Sequence, residues 1–304
     1  MIMLKIDKQN GNTAFNEEGH VYFDVTDSKK KYISVTTMIE KFGQPFDKDF
    51  WSSYKALEKL LPAEEWAIEK KSLLNDKKFN KELLDIHNIS EDNFNREQQA
   101  ILDSWQAENK KSCERGTAIH ANLENSFYRK KKNIDLAKYQ VGGKFECIKD
   151  KTELDLENGV YPEYLISWDS PSGKLHVAGQ IDVIAKKGNS IVILDWKSNK
   201  KLDLKGFYDS RTKKTTKMKF PLNTLDECNY SHYNLQLSTY AYMLTQKHPE
   251  FIIEDLVLVH FDHNDNMTVY HLPYLRDEVI RMLSFFEKEC VLEERKNKNK
   301  RVVY

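Results

Sequence analysis

The sequence predicts a mixed α/β fold, in which a β-sheet is covered by helices and is preceded by an N-terminal β-hairpin and a helical elaboration. Short β-like runs occur near the start of the chain, and a long stretch rich in Lys, Glu, Leu and Ala then has helical spacing. The second half alternates β-like runs with apolar helical segments. Elements in this order are typical of one sheet packed against helices.

The N-terminal hairpin is predicted from the runs "HVYFDVT" and "KKYISVT", which the turn-prone "DSKK" separates. Between residues 36 and 139 the apolar spacing predicts several helices, and Pro62 and Ser90 are typical of helix starts. We therefore divide the chain into a hairpin and helical part, residues 1–110, and a core that contains the sheet, residues 111–304. We expect one compact unit.

The sheet is predicted from three runs that follow Gly159. These are "YPEYLISW", "LHVAGQIDVIAKK" and "IVILDWKS", separated by the turns "DSPSGK" and "GNS". A helix is then predicted at "YNLQLSTYAYMLTQKH", two strands flank "DHNDN", and a last helix runs from about Tyr274 to Arg295. His260 and His263 near that turn could suggest a metal site, but a plain hairpin turn is the simpler interpretation.

Composition and hydropathy limit the classes of protein to expect. Among 304 residues, Lys plus Arg and Asp plus Glu both total 47, so the net charge gives no reason to expect general attraction to nucleic acids or membranes. No stretch approaches the roughly 18 apolar residues of a membrane span, and the start does not resemble a secretory signal. The four cysteines contain no CxxC pair. We expect a soluble cytoplasmic protein with free thiols and no membrane partner.

The strongest chemical signal is an acid and a lysine in "ILDWKSN". Asp195 and Lys197 are two residues apart, so in a strand both side chains point to one side. The preceding strand carries Asp182, and the short turn makes the two strands antiparallel neighbours, which places Asp182 near Asp195. Two close carboxylates repel each other unless a cation lies between them, so the pair predicts Mg²⁺ or Mn²⁺. Lys197 could stabilise charge on a phosphate or help deprotonate an attacking water.

Taken alone, Asp195 and Lys197 could equally be a plain ion pair at a sheet edge. However, the pattern G-x-x-D followed by D-x-K resembles the PD-(D/E)XK nuclease superfamily. Upstream, "RGTAIHANLEN" at residues 115–125 is similar to the "GTxxHxxxE" helix of the RecB-like branch, which includes phage exonucleases and the mitochondrial genome maintenance exonuclease. Downstream, "NLQLSTYAYML" is similar to its "QLxxYxxLL" helix, and "YPEYLISW" to its acidic strand.

The four motifs occur in the family's order within residues 115–244. The resemblance implies a restriction-endonuclease-like core and a metal-dependent deoxyribonuclease, most simply an exonuclease on DNA ends or single strands in phage-type replication, recombination or repair. It also implies one or two Mg²⁺ or Mn²⁺ ions. The clustered cysteines of the iron–sulfur relatives are missing here, so no such cluster is expected.

The resemblance assigns roles residue by residue. The implied metal ligands are His120, Asp182, Asp195 and the backbone carbonyl of Trp196, and Lys197 is the implied catalytic lysine. Glu124 and Glu163 would bind a second ion or orient a ligand. Gln236 and Tyr240 would contact the DNA backbone or support the lysine, although both could be ordinary polar positions near the core.

A basic segment begins at the proposed catalytic lysine. Residues 197–219 contain nine basic side chains against two acidic ones, and Phe207, Tyr208 and Phe220 could stack on single-stranded bases. The candidate DNA contacts in this segment are Lys200, Lys201, Lys205, Arg211, Lys213 and Lys214. A solvated insertion is the alternative. The expected partner is DNA, with a single-strand-binding protein or recombinase as a further candidate, and the oligomeric state stays open.

Two other functions fit the same residues. One is a structure-specific endonuclease on the same fold. The other is a DNA-binding recombination or packaging protein whose nuclease centre has decayed, although the intact set of Asp182, Asp195 and Lys197 weighs against it.

Overall fold

The structure is a computed structural model that describes residues 5–148, 156–210 and 212–301, without the side chains of Glu294 and residues 297–301. The strands are β1 (Lys8–Asn10), β2 (Thr13–Asn16), β3 (Val21–Asp24), β4 (Ile33–Ser34), β5 (Ile134–Asp135), β6 (Lys144–Phe145), β7 (Gly159–Asp169), β8 (His176–Lys187), β9 (Ser190–Lys197), β10 (Tyr208–Asp209), β11 (Lys214–Thr215), β12 (Ile252–Phe261) and β13 (Met267–His271). The helices are α1 (Val35–Glu40), α2 (Lys48–Leu60), α3 (Ala63–Asp76), α4 (Glu82–Ile86), α5 (Glu91–Lys130), α6 (Asn229–Lys247) and α7 (Arg276–Arg301). No helix within these described ranges is long and apolar enough to cross a membrane.

The chain forms two compact units. One combines Met1–Gln44 with Ala118–Tyr304, and the other is Pro45–Thr117. The hairpin region therefore groups with the sheet, whereas the sequence boundary near residue 110 placed it with the helices. The division into a hairpin and helical part, residues 1–110, and a core that contains the sheet, residues 111–304, stays a prediction.

The smaller unit is a helical cluster with its own core. Its helices α2, α3, α4 and the first part of α5 pack around buried aromatic and aliphatic side chains that include Phe50, Leu57, Leu73 and Phe94. Pro62 directly precedes α3, and the Ser90 hydroxyl accepts a hydrogen bond from the Asn93 backbone N–H at the start of α5. Both helix starts predicted from the sequence are therefore confirmed.

The larger unit is built on a six-stranded mixed sheet. Its strand order is β13-β12-β9-β8-β4, with β7 also paired to β8. The pairs β7/β8, β8/β9 and β12/β13 are antiparallel, while β9/β12 and β4/β8 are parallel. The predicted mixed α/β fold is confirmed, together with all five strands predicted after Gly159.

Alternating side chains of the sheet enter two different apolar layers. Ile184 and Ile193 pack on one face with α1, α6 and α7, whereas Val183, Leu194 and Trp196 pack on the other with Phe127. Because successive side chains in a strand point to opposite faces, both layers are filled from the same strands. This explains the almost continuous apolar runs of β8 and β9, which are buried on both sides.

An N-terminal antiparallel sheet is present, and the two predicted runs meet at one antiparallel bridge, Phe23 with Lys31, but the remaining strand pairings differ from the predicted hairpin. It has the order β1-β2-β3, so the hairpins join Lys8–Asn10 to Thr13–Asn16 and Thr13–Asn16 to Val21–Asp24. Ile33–Ser34 instead pairs in parallel with β8. The reason is local, because the Ser34 hydroxyl accepts the Thr37 backbone N–H and thereby begins α1 instead of extending a strand.

Candidate functional site

Three carboxylates lie side by side across neighbouring strands. In the register of β7 and β8, Pro162 opposes Val183 and Tyr164 opposes Ile181, which puts Glu163 across from Asp182. In β8 and β9, the pair farthest from the connecting turn is Val183 with Leu194. One residue further from the turn, β8 carries Asp182 and β9 carries Asp195, so these two acids lie opposite each other. The adjacency of Asp182 and Asp195, predicted from the short turn, is therefore confirmed. Glu163 extends the pair into a row of three.

His120 faces two of these acids from α5. Its Nε2 is 2.9 Å from the Trp196 carbonyl oxygen, to which it donates a hydrogen bond. Its Nδ1 lies 3.5 Å from Asp182 Oδ1 and 3.9 Å from Glu163 Oε1. A histidine that donates one ring N–H to a backbone carbonyl presents its other nitrogen as a ligand, which is the usual arrangement at metal sites. His120, Glu163 and Asp182 each offer one ligand atom, all within 4.8 Å of one another.

Each of the two acids in this group has one oxygen held by the protein. Asp182 Oδ2 accepts the Trp196 backbone N–H at 2.8 Å. Glu163 Oε2 accepts hydrogen bonds from Lys8 Nζ, at 3.3 Å, and from Gln180 Nε2. The other oxygens, Asp182 Oδ1 and Glu163 Oε1, face His120. The site therefore has oriented oxygen donors on two sides of one imidazole nitrogen.

The electrostatics of the site favour a cation. Burial, followed by the negative charge of Asp195, raises the pKa of the Asp182 carboxyl. Burial lowers the pKa of His120, but the carboxylates of Glu163 and Asp182 outweigh it and raise that pKa to about 9. Carboxylates that lie close together repel one another and are stabilised by a positive charge placed between them. The donor set, one imidazole nitrogen and carboxylate oxygens, fits a divalent ion.

Asp195 has different partners. Its Oδ2 lies 2.6 Å from Lys197 Nζ, and its Oδ1 accepts a hydrogen bond from Gln236 Nε2 at 3.3 Å. The residue is 1% exposed, so Lys197 offsets the charge of a carboxylate that is removed from water, and Gln236 supplies a hydrogen bond to its other oxygen. Its implied role as a metal ligand stays a prediction.

Lys197 is held as a charged ammonium. Burial lowers its pKa, but Asp195 and Asp182 outweigh burial and raise the pKa above the ordinary lysine value. Its Nζ also lies 5.1 Å from the centre of the Tyr233 ring, within the range of a cation–π interaction. The side chain is suited to donating hydrogen bonds and positive charge rather than to accepting a proton.

Gln236 and Tyr240 form a buried support behind Asp195. Gln236 donates to Asp195 and also lies 3.3 Å from the Tyr240 hydroxyl. The Tyr240 ring lies against the backbone of Gly179, where a Cβ would come within 2.5 Å of Cε1. The glycine of G-x-x-D is therefore needed for this close approach. Both side chains are buried, which favours the supporting role over the alternative of a DNA contact, and that contact stays a prediction.

Two of the implied ligand groups have other partners in the structure. The Trp196 carbonyl is the acceptor for His120, while its ring is fully buried beside Phe127 and Tyr139. Glu124 lies one turn after His120 and accepts the Tyr128 hydroxyl at 3.0 Å. Glu124 also lines, with Glu163 and Lys8, a cleft of about 410 Å³. The metal-binding roles implied for the carbonyl and for Glu124 remain predictions.

Several residues around the site carry no motif signal and were not predicted. Lys8 and Gln180 bind Glu163, as described above, and Tyr233 lies under Lys197. His260 is paired with Lys197 across β9 and β12, and its Nε2 is 2.7 Å from the Asn199 carbonyl oxygen, which holds the segment after Lys197. For Gln180, the one sequence signal is its position two residues before Asp182, inside the G-x-x-D motif.

The turn after β12 is a plain hairpin, as predicted. The Asp262 carboxylate accepts the backbone N–H groups of Asn264 and Asn266, which closes the turn that His263 belongs to. His260 lies in the strand and bonds to Asn199.

The basic segment contains the small antiparallel pair β10 and β11. The side chains of Lys200, Lys201, Lys205, Lys213 and Lys214 are exposed, while Arg211 lies outside the described residues. Lys201 pairs with Asp203 at 2.6 Å. Phe207 is 72% exposed and Tyr208 and Phe220 are also exposed, an unusual concentration of aromatic rings in water. The predicted DNA contacts of this segment stay predictions.

Comparison with known proteins identifies no family. No family model matches the chain, and no curated protein matches it. The solved structures that share a weak likeness include the following two. SSO0001 is 12% identical, over 62% of this chain and 68% of that one, with a TM-score of 0.29. A putative exonuclease from Eubacterium rectale is 11% identical, over 84% of this chain and 77% of that one, with a TM-score of 0.31. Neither likeness carries an argument about the site.

Proposed function

We propose that this protein is a divalent-metal-dependent nuclease of the PD-(D/E)XK type that hydrolyses phosphodiester bonds in DNA. The observation that carries the proposal is the row of Glu163, Asp182 and Asp195 across three strands, with His120 at one end and Lys197 at the other. A hydrolytic site for phosphate needs a cation held by acids and a second positive charge near the scissile group. The acids of the row would hold such a cation, and Lys197 supplies the second positive charge.

The groups that would hold the ion are His120 Nδ1, Glu163 Oε1 and Asp182 Oδ1. Oxygen ligands suit Mg²⁺, and the imidazole nitrogen suits Mn²⁺ better. A bound divalent ion would supply Lewis-acid stabilisation of charge on the phosphate and lower the pKa of an attacking water. Asp195 is the next acid in the row and is the candidate to join the ligands when substrate is present.

Lys197 would act as a fixed positive charge. Because its pKa is raised, the ammonium keeps its proton and can donate hydrogen bonds to a phosphate oxygen. Of the two roles open from the sequence, charge stabilisation is therefore favoured over deprotonation of water. Asp195 and Tyr233 hold the ammonium in place, and Gln236 holds Asp195.

The exposed basic segment supports DNA with unpaired bases as the substrate. Its lysines can neutralise backbone phosphates, and the exposed rings of Phe207, Tyr208 and Phe220 offer faces on which unstacked bases can lie. Bases in a closed duplex present no free face, so ends and single strands are preferred. This supports the exonuclease reading over an endonuclease. A single-strand-binding or recombinase partner remains a prediction without structural support.

The proposal is tested with labelled linear and closed circular single-stranded DNA, each incubated with Mg²⁺, Mn²⁺ or EDTA. We expect linear DNA to be degraded with either metal and to be stable in EDTA. Asp182→Asn and Lys197→Met should abolish degradation, while Lys187→Met, a control at an exposed lysine at the end of β8, should not. Cleavage of the circle as fast as the linear strand would contradict the exonuclease reading. No metal-dependent cleavage of either DNA would contradict the nuclease.

A further inference from the structure

Glu163 has an unusual backbone for its position. It lies in the middle of β7 with φ of +52°, yet the pairs on both sides of it keep the regular register with β8. A left-handed conformation is rare for residues other than glycine, and such residues are concentrated at functional sites where the surroundings hold them. The position of this carboxylate is therefore set by its neighbours.

Two side chains hold the carboxylate on one oxygen only. Gln180 Nε2 and Lys8 Nζ both donate to Glu163 Oε2, while Oε1 faces His120. Gln180 is two residues before Asp182 on β8, so one strand supplies both a candidate ligand and the group that orients the neighbouring carboxylate. The division between a held oxygen and a presented oxygen is the same as at Asp182.

Lys8 reaches the site because the N-terminal sheet is docked on β7. The Asn10 amide donates to the Leu165 carbonyl at 2.8 Å, and the Thr13 hydroxyl donates to the Ser167 hydroxyl at 2.7 Å. All of these side chains are buried, so the bonds are shielded from water. Lys8 also lies 3.9 Å from Glu17, a longer and more exposed contact than its bond to Glu163.

We propose that Gln180 and Lys8 are positioning residues for a divalent-cation site, and that the N-terminal sheet contributes to that site by placing Lys8 against Glu163. By holding Oε2 of Glu163 they turn Oε1 toward His120 and Asp182 and keep it there before an ion arrives. This inference rests on the metal site of the proposed function, but not on the cleavage of DNA.

The two residues differ in charge, and this separates their effects. Gln180 is neutral, so its loss removes only the hold on Glu163. Loss of Lys8 removes its hydrogen bond to Glu163, which should weaken cation binding. It also removes a positive charge that repels a nearby cation, which should strengthen cation binding. Gln180 therefore gives the cleaner test, and Lys8 should show a smaller change of affinity.

The experiment measures the Kd of Mn²⁺ for the full chain by electron paramagnetic resonance, with melting temperature recorded in EDTA. We expect Gln180→Met to weaken Mn²⁺ binding by about 10- to 100-fold, the usual cost of losing a group that orients a metal ligand. Lys8→Met should weaken it less, and Lys8→Arg should keep the wild-type affinity. Gln9→Met is the matched control, because the exposed Gln9 amide bonds only its own turn at Gly11 among its described partners.

A second background shows whether the effect passes through Glu163. If Gln180 and Lys8 act on the ion through the Glu163 carboxylate, then neither Gln180→Met nor Lys8→Met should change the Kd of Mn²⁺ further in the Glu163→Gln background. This comparison is a double-mutant cycle, which measures the coupling between the two positions. A purely structural role would lower the melting temperature equally in both backgrounds. If Gln180→Met does not fold, Lys8→Met decides by the same comparison.

The proposal is overturned if Gln180→Met and Lys8→Met bind Mn²⁺ as the wild type does, or if they lose as much affinity in the Glu163→Gln background. Failure of the unsubstituted chain to bind Mn²⁺ would overturn it together with the metal site. Mn²⁺ binding without DNA cleavage would overturn the nuclease alone.

Discussion

Tyr240 packs so closely on Gly179 that a Cβ at position 179 would lie 2.5 Å from Cε1 of the ring and 3.0 Å from its hydroxyl oxygen. The ring is 3% exposed and is surrounded by the sheet and α6, so it has little room to withdraw. This contact joins the G-x-x-D strand to the helix that supplies Gln236. The packing of Tyr240 on Gly179 therefore positions β8, which carries Asp182, against α6, whose Gln236 donates to Asp195.

Gly179→Ala is therefore expected to reduce stability and activity together. Overpacking of this kind costs about 1–3 kcal/mol of unfolding free energy. Urea denaturation measures the loss, and the cleavage assay should show a lower rate because a displaced Tyr240 disturbs Gln236. Gly142→Ala is the control, since no atom lies within 4 Å of its Cβ position, and it should be near neutral. Equal stability of the two variants would contradict the packing argument.

Asp182→Asn should separate stability from metal binding. The neutral amide removes the repulsion from Asp195 that contributes to the raised pKa of Asp182, and its oxygen can still accept the Trp196 N–H. In EDTA we expect this variant to melt at or above the wild-type temperature. Excess Mn²⁺ should stabilise the wild type, by about 2.7 kcal/mol at 100 times Kd, and not the variant. A variant that is much less stable in EDTA, or is stabilised equally by Mn²⁺, would show that Asp182 has another role.

Gln236→Met tests the support of Asp195. The substitution keeps the length of the side chain but loses the donor to Asp195 Oδ1. We expect metal-dependent cleavage to fall by about 10- to 100-fold, because groups that orient active-site acids have effects of this size. Gln246→Met, on the exposed part of the same helix, is the control and should retain full activity. Activity of Gln236→Met equal to that control would rule out the supporting role.

His87 gives a pH-dependent prediction for the helical unit. Its ring nitrogens bond Glu65 at 2.6 Å and Glu69 at 3.2 Å, both on α3. Burial lowers the pKa of His87, but these two hydrogen bonds outweigh it and raise that pKa above its usual range. Because the folded pKa is the higher one, the stabilisation is complete below the unfolded value of about 6.5 and is lost as pH rises through the folded pKa.

The measurement compares the unfolding free energy of the wild type with that of His87→Gln from pH 6 to 9. The advantage of the wild type should shrink as pH rises above about 6.5. If the difference in unfolding free energy between the wild type and His87→Gln stays constant or grows with pH, the protonated His87 ring does not stabilise the contact between α3 and α4.

The parts of the site that could be predicted are those that depend on local chain geometry. The short turn sets the register of β8 and β9, so the adjacency of Asp182 and Asp195 follows from counting residues. The alternation of a strand puts the Trp196 ring into the core between Asp195 and Lys197. The order of strands and helices after Gly159 follows from hydrophobic periodicity in the same way.

The parts that could not be predicted depend on packing between distant segments. Lys8 and Glu163 are 155 positions apart, and their contact exists only because the N-terminal sheet docks on β7. The parallel pairing of Ile33–Ser34 with β8 likewise joins distant segments, whereas a hairpin with β3 is the simpler local solution. The left-handed backbone of Glu163 has no signature in a run of strand-forming residues.

A crystal grown with Mn²⁺ shows whether His120, Glu163 and Asp182 hold a divalent ion. Anomalous scattering at the manganese edge locates the ion without reference to the chain. We expect a peak in contact with His120 Nδ1, Glu163 Oε1 and Asp182 Oδ1, with His120 Nε2 still bonded to the Trp196 carbonyl. A crystal without a peak among these three residues, or with manganese bound to Nε2, would contradict it.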